Sequence, residues 1–258
     1  MAVSTLLAAL VAAVGLPAVA QAAAVHYVAL GDSYSSGVGS DDYSLSAGIC
    51  LRTPHAFPAL WAASHAPASF DFAACAGATT ADVLNNQLGA LSAQTTLVSL
   101  TVGGNDIGFA NVVLTCKFST TQACADAVTG AENQARTTLP AKLAATYAAI
   151  ASRAPHARLV VLGYPRLFET TSCGWLSMSL ANRQALNQGA DVLEAVISAA
   201  AQGAGASYVS LQTWFTGHRV CAPTPWINGT VAIAVDSYHP NASGYSRAYL
   251  PALVSVIG

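Results

Sequence analysis

The 258-residue sequence predicts an α/β fold, a sandwich with helices on both faces of a parallel sheet. Three observations predict it: short apolar runs alternate with longer helical stretches, none of the runs alternates cleanly between polar and apolar, and several stop at glycine. A strand that is apolar on both sides is covered on both faces, as in a parallel sheet clad by helices.

Val25–Leu30 is β-branched and apolar and breaks at Gly31. Ser69–Ala73 is a weaker strand. Thr96–Val102 ends at Gly103-Gly104, Arg158–Leu162 ends at Gly163, and Ala206–Leu211 is the fifth run. Between them, Thr79 is a suitable N-cap for a helix over Thr80–Asn86. A long Ala-rich helix is expected over Gln122–Ser152, broken or kinked at Pro140. Ser179–Ala201 is another, with Gly203 and Gly205 beyond its end. Ser243–Val256 closes the chain, with Pro251 inside it. There is no internal repeat and no linker, so residues 25–258 are read as one domain.

Composition narrows the function. Hydrophobic residues make up 53% and charged residues 9%, the opposite of a disordered chain. The formal net charge is -2 with no basic block, so a nucleic-acid partner is not expected. Residues 1–24 carry no charged side chain, contain the apolar run Leu6–Val14, and end in Ala-x-Ala patterns after Pro17. They read as a secretory signal peptide, against the alternative of an N-terminal anchor, and no later stretch has the ~18 apolar residues of a membrane span. Six cysteines remain: Cys50, Cys75, Cys116, Cys124, Cys173 and Cys221. An even count in an exported chain favours disulfides. No C-x-x-C or H-E-x-x-H supports a zinc site, and no metal or cofactor is expected. Of the possible pairings, consecutive pairing (50–75, 116–124 and 173–221) is expected, each bond stapling one loop region.

Short motifs follow three of the strands: Gly31-Asp32-Ser33-Tyr34, Cys75-Ala76-Gly77-Ala78-Thr79 and Gly103-Gly104-Asn105-Asp106. A fourth, Asp236-Ser237-Tyr238-His239-Pro240, precedes the last helix. All should meet at one sheet edge, where the carboxyl ends of parallel strands gather. Together they hold what acyl transfer needs: a nucleophile (Ser33), a base (His239), and donors for a developing oxyanion (the Ser33 and Gly77 N–H groups and the Asn105 amide). Asp236 lies three residues before His239 and can hold the other imidazole nitrogen.

These residues resemble the SGNH hydrolases, also called the GDSL esterase/lipase family, whose four name-giving residues would be Ser33, Gly77, Asn105 and His239. The resemblance spans nearly the whole mature chain, and the six cysteines make it similar to small secreted actinomycete lipases and phospholipases. It implies a three-layer α/β/α sandwich with about five parallel strands and no metal requirement. The oxyanion role of Gly77 rests on it. No G-x-S-x-G occurs, which separates the chain from the α/β-hydrolases. Some secreted relatives orient the histidine with a backbone carbonyl, which here would be that of Asp236 or Ser237; the Asp236 side chain is the expectation.

Several residues have simpler readings. Asp32 is expected to hold its turn together and Asp106 to cap a helix. Among the other histidines only His218, near Cys221, rivals His239, and a surface loop explains it. Phe109, Leu114, Trp175, Trp214 and Trp226 could line an acyl pocket or simply pack. Asn228-Gly229-Thr230 and Asn241-Ala242-Ser243 match the glycosylation sequon. The expected activity is two-step ester hydrolysis by a secreted monomer acting on acylglycerols, phospholipid acyl esters or simple esters, without stable membrane insertion. A carbohydrate O-acetyl esterase and a catalytically silent lipid- or carbohydrate-binding protein are the rivals.

Overall fold

Five strands form one parallel sheet in the order β2-β1-β3-β4-β5 in the computed structural model. It describes Met1 and residues 24–174 and 178–257. Apart from its two end residues, the expected leader lies outside the described residues, as does Trp175.

The chain enters through β1 (His26–Gly31), buried along almost its whole length, and turns into α1 (Ser33–Ser36). An unforeseen loop precedes α2 (Phe57–His65), which carries Pro58 in its first turn, where a missing N–H costs nothing. β2 (Ser69–Phe72) is a partly exposed edge strand. Thr79 then caps α3 (Thr80–Asp82) in a reciprocal box with Asp82, and the helix widens into a π-turn over Val83–Gln87.

β3 (Leu97–Thr101) is buried throughout. After it comes α4 (Phe109–Phe118), which the sequence reading missed because Val112, Val113 and Thr115 weaken its helical signal. The stretch 122–152, expected to be broken or kinked at Pro140, forms two helices, α5 (Thr121–Thr137) and α6 (Leu139–Arg153). Pro140 sits in the first turn of α6, where it is tolerated, so the break falls just ahead of it at Thr138.

β4 (Arg158–Leu162), α7 (Leu180–Gly203) and β5 (Ser207–Val209) follow, the last shorter than expected. The chain ends in α8 (Ala242–Gly244), a π-turn over Tyr245–Tyr249, and α9 (Leu250–Ile257). The widened turn comes before Pro251, which cannot donate to the carbonyl four residues back.

Strand order fixes the layers. The chain steps one way from β1 to β2 and the other way through β3, β4 and β5. Right-handed crossovers therefore put α2 on one face and α3–α7 on the other. α9 packs on α2, while α5, α6 and α7 pack together. The core runs through the sheet, with Tyr27, Leu30, Val98, Leu100, Val161 and Leu162 nearly or fully inaccessible. The reversal falls between β1 and β3, and an open α/β sheet offers its binding crevice at the carboxyl ends of such a pair.

The cysteines pair consecutively, as expected: Cys50–Cys75, Cys116–Cys124 and Cys173–Cys221. The first ties the loop ahead of α2 to the loop after β2 and bridges a sequence separation of 25 residues. No described helix is long and apolar enough to cross a membrane. Replacing both Cys50 and Cys75 with serine is expected to lower the unfolding free energy by about 2–4 kcal/mol, read as an earlier midpoint in denaturant titration.

Candidate active site

The loops after β1, β2 and β3 converge with residues 230–239 around one cavity of about 440 Å³. Ser33, Gly77, Asn105 and His239 all line it, so the structure brings together the four residues singled out in sequence.

Ser33 opens α1, and Asp32 caps that turn by accepting from the Tyr34 N–H at 3.0 Å. Ser33 Oγ lies 2.8 Å from His239 Nε2. A neutral imidazole in that position can take the hydroxyl proton. The Ser33 and Gly77 amides donate to no other group among the described residues. Gly77 has φ +78, and a Cβ there would meet nothing within 4 Å, so glycine is required for the backbone conformation and not for lack of room. Asn105 lies in a short helical turn beyond Gly104 and gives one amide N–H to the Ala78 carbonyl at 3.0 Å. That bond ties the loop after β3 to the loop after β2.

The histidine loop departs from expectation. The Asp236 carboxylate does not hold the imidazole. It accepts from the Tyr43 hydroxyl at 2.5 Å. His239 Nδ1 instead faces the Ser237 carbonyl at 3.2 Å. The cause is local geometry. Residues Ala234–Asp236 form a tight helical turn, and Tyr238 takes a left-handed conformation at φ +63. Together they send the Asp236 side chain toward Tyr43 and bring the next carbonyl to Nδ1 of the ring. Asn228 Nδ2 donates to the Gly39 and Asp236 carbonyls, and Tyr34 Oη to the Tyr238 carbonyl at 2.9 Å, fixing the loop from two sides. Gly39 must be glycine, because a Cβ would come within 2.8 Å of His239 Cβ.

Burial is the largest influence on the His239 ring and lowers its pKa to about 4; the Ser237 carbonyl and the nearby Asp236 charge oppose the shift. One edge of the ring stays open to the cavity, and it is neutral across the physiological range.

Asp32 turns out to be the hub behind the serine. It is 1% exposed. Its carboxylate accepts from Thr101 Oγ1 at 2.7 Å, from the Tyr34 N–H and from the Tyr164 hydroxyl. Burial raises its pKa to about 6 despite these donors. Asp106 caps a helix, but not its own: it accepts from the Thr80 N–H and hydroxyl at the start of α3, and pairs with Lys142. Tyr43 and Tyr164 are the residues that sequence reasoning missed, since neither lies in a motif, while Tyr34 lay inside the Gly31–Tyr34 motif without its bond to the histidine loop being foreseen.

The remaining candidates fall elsewhere. His218 stacks on Trp226 at 3.6 Å and bonds the Thr224 carbonyl. Trp214 packs against the core, while Phe109 and Leu114 do line the cavity. Both sequon asparagines are engaged, Asn228 with the histidine loop and Asn241 as the cap of α8.

The chain resembles known proteins over most of its length. Residues 29–247 match the GDSL-like Lipase/Acylhydrolase family. Lipase 1 of Streptomyces coelicolor is 46% identical over 248 residues, covering 95% of this chain and 92% of that protein. The crystal structure of phospholipase A1 from Streptomyces albidoflavus superposes with a TM-score of 0.88 at 47% identity, covering 90% of this chain and 99% of that one. The extracellular lipase of Streptomyces rimosus matches with the same TM-score at 46% identity and the same coverage. On this sequence match, this sheet and this gathering of loops, the chain belongs to the GDSL-like lipase/acylhydrolase family of ester hydrolases.

Proposed function

We propose that the protein is a secreted lipid-ester hydrolase that works through an acyl-enzyme on Ser33. The observation that carries this reading is the 2.8 Å contact between Ser33 Oγ and His239 Nε2 at the wall of a mostly apolar cavity. Phe109, Val113, Leu114, Leu167 and Leu193 line that cavity, a surface suited to an acyl chain and poor in the hydrogen-bonding groups that a sugar ring needs.

In this reading Ser33 Oγ attacks the ester carbonyl carbon as its proton passes to His239 Nε2. The oxyanion is held by the Ser33 and Gly77 N–H groups and by the second amide N–H of Asn105. The imidazolium returns the proton to the leaving alkoxide, and the acyl group stays on the serine. Water, deprotonated by the same nitrogen, then attacks the acyl-enzyme, the acyl–Oγ bond breaks as the imidazolium returns that proton to Ser33 Oγ, and the acid leaves. The Ser237 carbonyl accepts from Nδ1–H, which keeps Nε2 free as the base. The relatives support the substrate class, since they are named lipases and a phospholipase A1. Three disulfides and an apolar N-terminus support export.

Ser33→Ala is expected to abolish turnover of p-nitrophenyl esters. Wild type should favour chains longer than acetate in a series from acetate to palmitate, and a preference for acetate would point to the carbohydrate esterase instead. Asp236→Asn is expected to keep kcat within about tenfold of wild type, where a triad acid would lose about 10⁴. The acid limb of kcat/KM should lie well below the ordinary histidine value of 6.5, because the base is lost only as pH falls through about 4. Asp32 titrates near 6, so the profile is repeated in Asp32→Asn to separate its contribution. A limb near 6.5 that persists in that variant would contradict the assignment.

A further inference from the structure

The mouth of the cavity carries apolar surface that the fold itself leaves uncovered. Nine large hydrophobic residues are exposed among the described residues, and five of them (Leu114, Phe118, Val231, Ile233 and Val235) belong to the two segments that wall the cavity. Leu114 and Phe118 stand one turn apart on α4. The other three alternate along the loop leading to His239. Phe118 is 75% exposed and Ile233 is 56% exposed, a costly placement for side chains that could have been polar.

One cation sits among them. Among the described residues, Lys117 is the only lysine or arginine that lines the cavity. It hydrogen-bonds Thr230 across the cleft, lies over the Phe118 ring at 5.4 Å, and has no carboxylate partner among the described residues. The other lysine of the chain, Lys142, pairs with Asp106. A charge that is left unpaired within an apolar collar matches a surface that is apolar inside and anionic at its boundary.

We propose that this rim docks the enzyme on a phospholipid surface. Phe118 and Ile233 enter the acyl layer, and Lys117 meets the headgroup phosphate. The collar is continuous with the apolar wall that leads to Ser33, so a lipid could slide from its layer into the cavity without crossing water. The proposal rests on the lipid-ester reading above, but its test does not depend on turnover.

The test uses Ser33→Ala protein, which binds without consuming lipid, in flotation with phosphatidylglycerol/phosphatidylcholine vesicles and with phosphate-free triolein droplets. The parent is expected to bind both. Adding Phe118→Asp or Ile233→Asp should weaken binding to both at least tenfold, since each removes an apolar side chain that would enter the lipid and adds a charge there. Lys117→Met should weaken vesicle binding about fivefold and leave droplet binding unchanged. Thermal unfolding of each variant should match the parent, because all three side chains are at the surface. No vesicle binding by the parent, full binding by both aspartate variants, or an equal loss on droplets for Lys117→Met would overturn the proposal. Hydrolysis of soluble esters by wild type tests the catalytic reading separately, so each can fail alone.

Discussion

One buried carboxylate holds the site in place. Asp32 stands at the end of β1 and accepts hydrogen bonds from Thr101 at the end of β3 and from Tyr164 just beyond β4. Its own N–H donates to the Thr101 carbonyl. Three neighbouring strand ends are thereby joined to the turn that carries Ser33. An ionised group in such surroundings is tolerated only when it is well hydrogen-bonded, and here three donors bond it. Removing any one of those donors would leave charge uncompensated beneath the serine, so the geometry above it depends on the set as a whole.

The histidine is fixed in a different way. No strand delivers it; the long stretch after β5 does, and its position comes from bonds that reach back to the first loops of the chain. Asn228 to Gly39, Tyr34 to Tyr238 and Tyr43 to Asp236 are three such bonds, each spanning about 190 residues or more. The left-handed Tyr238 and the glycine at position 39 let the two loops approach closely. The serine is thus set by the sheet, and the histidine by side chains that clamp a loop against it.

Much of this could be read in advance. All five strands were visible, the inner ones most clearly, because double-sided burial leaves a strong apolar pattern there, while the partly exposed edge strand β2 left a weaker one. The four motifs were visible because each follows a strand or precedes a helix at the sheet edge where they meet. The consecutive disulfides were also expected. What escaped depended on direction rather than on residue type. The spacing of Asp236 and His239 suggests a carboxylate on the imidazole, but the helical turn at 234–236 aims that carboxylate at Tyr43. The helix α4, one side of the cavity wall, was hidden by β-branched residues whose weak propensity is overridden by packing. The tyrosine partners Tyr43 and Tyr164 had no local signature at all.

The Ser237 contact has an evolutionary side. The atom that faces Nδ1 of His239 is a peptide oxygen, present whatever side chain position 237 carries. No codon change can delete it, whereas an aspartate doing the same work can be lost in one step. Drift at this position is therefore buffered as long as the loop keeps its path. The vulnerability moves to residues that shape that path, among them Tyr43, Asn228 and Gly39, which a survey of inactivating alleles would find mutated although none of them carries a reacting atom.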